Sequence, residues 1–257
     1  MTSRPAKPTI EQIREISQPL SVTGRSNAEH WVADLYLRRI SPYLTRLLLR
    51  TPITANGVTY LMIITGISIS AALLMPGYTG LLLALFLSQL QMLWDCCDGE
   101  IARWRETQSP KGVFLDRLGH YLTESLIPVA LGLRLAGWPE NQITDWKSPF
   151  IGALIGIMII WNKAFNDIVH VSRAFAGLDK LADAKSVGTP TKSWLRIAKA
   201  PFRVFAVQRL FHSVEMAIII TVFNGNENLL NWGIYLAIFV TVGHLLSILG
   251  SRKFERS

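Results

Sequence analysis

Six apolar stretches recur along this chain, at 56–75, 79–96, 113–133, 150–170, 204–223 and 229–250. A helix needs roughly 20 residues to cross a bilayer, so these stretches predict an all-α polytopic membrane protein with six transmembrane helices. Half of the residues are hydrophobic and only 17% are charged, which suits a bilayer better than water. The second stretch is short, and the fourth carries Lys163 and Asp167. Polar side chains inside such spans must face the bundle or a cavity, because charge exposed to lipid is expensive.

The basic residues test the count. Residues 1–55 carry eight Lys/Arg, the 97–112 loop three, the 171–203 loop seven and the tail after 250 three. The opposite side holds only Arg134 and Lys147, while Arg117, Lys163 and Arg209 lie within spans. By the positive-inside rule both termini and the 97–112 loop are cytoplasmic. The net charge of +8 then reads as topology, aided by attraction to anionic lipid, and argues against a nucleic-acid partner. Three parts follow: a cytoplasmic N-terminal segment, 1–55; a six-span unit, 56–250; and a cytoplasmic tail, 251–257.

The first apolar run comes after residue 30, so no signal peptide is expected. Residues 28–50 mix Trp31, Leu35, Leu37 and Ile40 with Arg38, Arg39, Arg46 and Arg50. This pattern predicts an amphipathic helix lying in the cytoplasmic interface, kinked or split at Pro42. Cys96 and Cys97 are adjacent, which disfavours a mutual disulfide, and they read as small apolar fillers. Residues 177–201 form the longest polar connection, punctuated by Gly and Pro.

One polar constellation stands out where two apolar stretches approach each other. In WDCCDGEIARWRETQSPKGVFLDRLGH, Asp95 and Asp98 are three apart and share a helix face, and Asp116 and His120 are four apart and share another. Carboxylates at a membrane boundary are costly to desolvate. Two helices facing each other this way could hold hard cations, and oxygen ligands favour Mg²⁺, Mn²⁺ or Ca²⁺.

Written out, the spacing is D-x2-D-G-x2-A-R-x8-G-x3-D-x3-H, through Asp95, Asp98, Gly99, Ala102, Arg103, Gly112, Asp116 and His120. It resembles the signature of the CDP-alcohol phosphotransferase (CDP-alcohol phosphatidyltransferase) family, which ends in a fourth Asp. Upstream, TPITANGVTY is similar to the family's T-P-N-x-V-T stretch, with Thr54, Asn56, Val58 and Thr59 matching and Ala55 in place of proline. The resemblance implies attack of an alcohol hydroxyl on the β-phosphorus of a CDP-linked donor, with release of CMP, at a two-metal site using Mg²⁺ or Mn²⁺. It implies a homodimer in the bilayer.

Carried over position by position, the resemblance makes Asp95, Asp98 and Asp116 metal ligands. Asn56, Thr59, Gly99, Ala102, Arg103 and Gly112 become nucleotide contacts, with Gly99 admitting the nucleotide close to the helix backbone and Arg103 meeting phosphate. His120 stands where the family places a metal-associated Asp proposed as general base, so Asp116 and His120 are the candidate catalytic pair. Three readings of His120 stay open: a working base, a group that leaves nucleotide binding intact but slows chemistry, and a ligand that alters metal preference.

Lys163, Asn166, Asp167 and His170 form one helical stripe, and Arg209, His212 and Glu215 another, with Arg117 and Glu124 on the third stretch. They read either as charges paired within the bundle, such as Lys163 with Asp167, or as a pocket in which Arg117, Lys163 and Arg209 hold an anionic acceptor. Glycerol phosphate and inositol phosphate suit such a pocket, and the family resemblance implies CDP-diacylglycerol as the donor. A small CDP-alcohol with a lipid acceptor is the reverse arrangement. A nucleotide-binding scaffold without turnover and a transporter are readings of other classes; the motif spacing and the lack of an inverted repeat speak against the transporter.

Overall fold

The computed structural model describes residues 4–5, 8–19, 33–178, 210–251 and 254. Among them there are helices and connections but no strand. A short helix, α1 (Ile10–Ser17), precedes a π-helical turn, Ala33–Leu37, that runs straight into α2 (Arg38–Leu48). Then come α3 (Ala55–Leu73), α4 (Gly77–Arg105), α5 (Pro110–Leu135), α6 (Lys147–Phe175), α7 (Ser213–Val222) and α8 (Glu227–Leu249).

Local chemistry sets the helix ends. Thr9 opens α1 with a reciprocal capping box to Gln12. Thr54 caps α3 by accepting from the Gly57 amide at 3.0 Å, and Ser109 caps α5 through the Gly112 amide at 3.1 Å, with Pro110 at the first helical position. At the far end, Arg134 donates to the carbonyls of Leu73, Met75 and Gly77, satisfying acceptors at and just beyond the end of α3. Lys147 pairs with Glu227 at 3.1 Å. Both cations assigned to the sparse side of the charge count thus also have structural partners.

Among the described residues four helices are long and apolar enough to cross a membrane: α3, α4, α6 and α8. The six expected stretches map onto six helices, with three differences. Helix α5 has the length, but Lys111, Asp116, Arg117, Glu124 and Arg134 keep it from being apolar throughout. Helix α7 covers only the last ten residues of the fifth stretch that are described as helix, 213–222, and residues 204–209 lie outside the described residues. Helix α4 is longer than the expected 79–96: its 29 residues reach about 44 Å at 1.5 Å each, against a hydrocarbon core of about 30 Å. The motif from Asp95 to Arg103 therefore occupies an extension of an apolar helix.

Helix α3 is the shared neighbour of α4 and α5, while α6 packs on α5 and α8 on α6. Small residues allow these approaches. On α3 and α5, Gly66 lies against Thr123 and Gly119 against Met62. On α6, Gly152 and Gly156 face the carbonyls of Pro128 and Ser125; a Cβ at Gly156 would lie 2.6 Å from the Ser125 oxygen. This is how helices pack where lipid offers no hydrophobic drive between them. Ile69, Leu73, Leu81, Ile127, Leu131, Ile155 and Ile220 fill the core. Ile64, Phe86, Phe150 and Phe239 point outward and remain exposed, as lipid-facing residues do.

Pro42 does not split α2. It lacks the N–H that the Arg38 carbonyl would accept from, and Gln18 Nε2 supplies that donor at 2.8 Å. Leu44 and Leu48 pack inward on a cluster of Ala55, Val58, Cys97 and Ile101, while Ile40, Tyr43 and Leu47 stay exposed. Cys96 and Cys97 are free, buried and packed in apolar clusters, as expected of fillers. Trp31 and the rest of 28–32 lie outside the described residues.

Candidate active site

Helices α4 and α5 face each other across the end of α3, and the motif side chains meet there. His120 Nε2 lies 3.1 Å from Asp95 Oδ1 and 3.7 Å from Asp116 Oδ1. One ligand atom from each of Asp95, Asp116 and His120 falls within 4.8 Å of the others, a spacing that a cation can bridge. The side chains are partly shielded, Asp116 being the most open at 43% exposed. Three electron-pair donors from two helices converge on one point. This donor set, two carboxylates and an imidazole, fits a divalent cation.

Asp98 sits one helical turn beyond Asp95, outside that tight group. It is buried, and Thr59 Oγ donates to its Oδ2 at 2.7 Å. Thr59 is an expected nucleotide contact, and its hydroxyl also orients this carboxylate. Asn56 lies over Gly112: a Cβ there would be 3.2 Å from Asn56 Oδ1, so the glycine lets the first turns of α3 and α5 come together.

Gly99 and Arg103 are also joined. The Arg103 guanidinium lies along the Gly99 face, 3.0 Å from where a Cβ would stand, and its Nε donates to the Ser17 carbonyl at 2.5 Å. Gly99 thus makes room for Arg103, and the motif arginine braces the C-terminal end of α1. Ala102 packs on the cluster around Val58 and Ile101.

Glu100 was not singled out from the sequence. It is fully buried and accepts hydrogen bonds from Ser41 Oγ at 2.5 Å, Thr45 Oγ at 2.6 Å and Gln18 Nε2 at 2.8 Å. Its carbonyl accepts from Ser17 Oγ at 3.1 Å. The signal was present as a carboxylate amid an otherwise apolar face of α4, but its partners come from residues 55 to 82 positions away, beyond local patterning.

The charged residues deeper in the bundle pair between helices. Lys163 Nζ on α6 binds Glu124 Oε2 on α5 at 2.9 Å, and His212 Nδ1 lies 3.2 Å from Glu124 Oε1. Asp167 pairs with Arg117, and Tyr121 Oη donates to it at 2.7 Å. The alternative of Lys163 paired with Asp167 along one helix is corrected by these partners: each reaches across the α5–α6 interface. Of the three expected acceptor-binding residues, Arg117 and Lys163 line this interface and Arg209 lies outside the described residues.

Four helices suited to a bilayer and a carboxylate-lined polar site between α4 and α5 define a membrane protein with a site that fits a cation. The chain belongs to the CDP-alcohol phosphatidyltransferase family, whose model matches residues 52–243 and so covers the site and most of the chain. Members of this family are transferases that move a phosphate-linked alcohol from a CDP-alcohol in phospholipid synthesis. A search of curated proteins gave no match to the chain.

Proposed function

We propose that this protein transfers a substituted phosphate from CDP-diacylglycerol to a small polar or phosphorylated alcohol, such as glycerol phosphate or inositol phosphate, and releases CMP. The observation that carries this reading is the convergence of Asp95, Asp116 and His120 within 4.8 Å, with Asp98 held beside them by Thr59. Mg²⁺ or Mn²⁺ bound by these side chains would neutralise the donor phosphates. Asp116 is the most open of the group, so an acceptor hydroxyl reaches it first. Arg117 is half exposed on the same helix, one residue further on, and suits an anionic acceptor.

On this reading α5 and the α7 region also cross the bilayer, giving six spans. Both termini, the 1–55 segment, the 251–257 tail and the active site face the cytoplasm, and α2 lies in the interface with Ile40, Tyr43 and Leu47 towards lipid. Two copies form a homodimer.

A second reading, a nucleotide-binding membrane scaffold, draws on one observation: both ring nitrogens of His120 face carboxylates, at 3.1 and 3.3 Å, where a general base needs a nitrogen open to the alcohol. One assay separates them. Purified protein with Mg²⁺ or Mn²⁺ and CDP-diacylglycerol is offered glycerol phosphate, inositol phosphate, inositol and serine in turn. CMP release with one acceptor, abolished by Asp95→Asn, Asp98→Asn or Asp116→Asn in folded protein, supports transfer. Nucleotide binding with no release for any acceptor supports the scaffold.

A further inference from the structure

We propose that His120 is a metal-ligating imidazole rather than a base, that Glu124 is the positioning residue that aims it, and that the nitrogen ligand turns the site from Mg²⁺ towards Mn²⁺ and softer divalent cations. The inference rests on the metal-site reading above and names what that site prefers.

The ring is held from both ends. Nε2 points at the two carboxylates, 3.1 Å from Asp95 and 3.7 Å from Asp116, while Nδ1 lies 3.3 Å from Glu124 Oε1. An ionised carboxylate only accepts hydrogen bonds. A carboxylate on each side gives each ring nitrogen a donor's role; a cation held by Asp95 and Asp116 would displace the Nε2 proton and take its lone pair, leaving Nδ1–H on Glu124. A metal-bound histidine commonly shows this arrangement: one nitrogen on the cation and the other donating to a carboxylate that fixes tautomer and orientation.

Glu124 is built for holding rather than for chemistry. Its side chain is 2% exposed. Lys163 Nζ binds one oxygen at 2.9 Å, and His212 Nδ1 shares the other with His120 at 3.2 Å. Donors from α5, α6 and the start of α7 thus meet on one buried carboxylate. Removing one member of such a buried set leaves its partners uncompensated, so its geometry is stiff, and it passes that stiffness to the imidazole one helical turn away. The general-base alternative fits less well: a base nitrogen would face an incoming alcohol, and here it faces two carboxylates that would repel the alkoxide it generates. Imidazole suits later first-row cations better than Mg²⁺, which prefers an all-oxygen shell.

The test reads metal binding rather than turnover. Mn²⁺ is titrated into purified detergent-solubilised protein without nucleotide, free Mn²⁺ is followed by electron paramagnetic resonance, and pulsed measurements look for ¹⁴N coupling to the bound ion. Wild type should show the coupling, and His120→Ala should lose it. His120→Asp should also lose it and should move the ratio of Mn²⁺ to Mg²⁺ affinity towards Mg²⁺. Glu124→Gln should weaken Mn²⁺ binding by about 10–100-fold, the usual cost of losing a ligand's orienting partner. In a His120→Ala background the same change should cost no more than about twofold, since nothing is left to orient.

Equal losses in both backgrounds would make Glu124 a structural counter-ion and overturn its positioning role. Bound Mn²⁺ with no ¹⁴N coupling in wild type would overturn the ligand assignment, even if CMP release were normal. Nitrogen-ligated Mn²⁺ without CMP release would sink the transfer reading alone. If Glu124→Gln does not fold, Glu124→Asp, which keeps the charge but withdraws it from the ring, replaces it in the same comparison.

Discussion

Thr59 Oγ on α3 donates to Asp98 Oδ2 on α4 at 2.7 Å, at a point where both residues are buried. The bond ties the polar stretch at the start of α3 to the second motif carboxylate and fixes which oxygen of Asp98 is left to face the site. Thr59→Val keeps the shape and removes the donor. It should lower metal affinity by about 10–100-fold, as orienting partners of ligands do, while Thr59→Ser should retain near-normal binding. Mn²⁺ titration of the three proteins checks this; equal affinities would show that Asp98 needs no orientation.

Glu100 anchors the N-terminal segment. Its carboxylate accepts from Gln18, Ser41 and Thr45, so it joins the residue after α1 and two positions on α2 to α4. Glu100→Ala strips three buried or half-buried donors of their acceptor and should destabilise the protein by about 1–3 kcal/mol or more. Thermal unfolding followed by tryptophan fluorescence should shift down clearly, and limited proteolysis should release residues before 50 sooner than in wild type. Unchanged melting and proteolysis would mean that α1 and α2 are held by apolar packing alone.

The α5–α6 approach depends on Gly152 and Gly156, which face backbone carbonyls that cannot move aside. Gly156→Leu should push the helices apart and break the Lys163–Glu124 pair nearby, reducing folded yield in detergent. Gly233→Ala is the control. A Cβ there meets only the Ile155 Cδ1 at 3.2 Å, the movable end of a side chain, and should be tolerated. Equal yields from the two variants would remove close helix approach from the account.

Arg117 pairs with Asp167, which also accepts from Tyr121. If Arg117 lends its charge to an anionic acceptor, Arg117→Ala should raise the acceptor KM roughly tenfold, the worth of one charged hydrogen bond of about 1.5–3 kcal/mol. The donor KM should stay put. Asp167→Asn, which frees the guanidinium, should not reproduce that loss. A matched loss in both variants would assign the pair to bundle structure.

The charge distribution predicts sidedness. With Cys96 and Cys97 replaced, a cysteine at Lys147 should react with an impermeant thiol reagent added to intact cells, and one at Lys111 should not. The reverse pattern would invert the topology and place the site outside.

Much of the site was legible because it is local. Asp95 with Asp98, and Asp116 with His120, share helix faces by spacing alone, and the helix cap at Ser109 sits within the same stretch of sequence. The apolar stretches likewise announced the helices, since burial in lipid demands long runs of one character. What lay beyond the sequence depends on depth and rotation. Lys163 could reach Asp167 one turn along its own helix, but packing brings Glu124 to it across the interface. Pro42 reads as a kink or split; the helix is not split, and Gln18 supplies the donor that the Arg38 carbonyl lacks. Gly99 reads as space for a ligand, and the Arg103 guanidinium lies along its face. A helical period fixes which residues share a face; only the close packing of one helix on another, set here by glycines against backbone carbonyls, decides what that face meets.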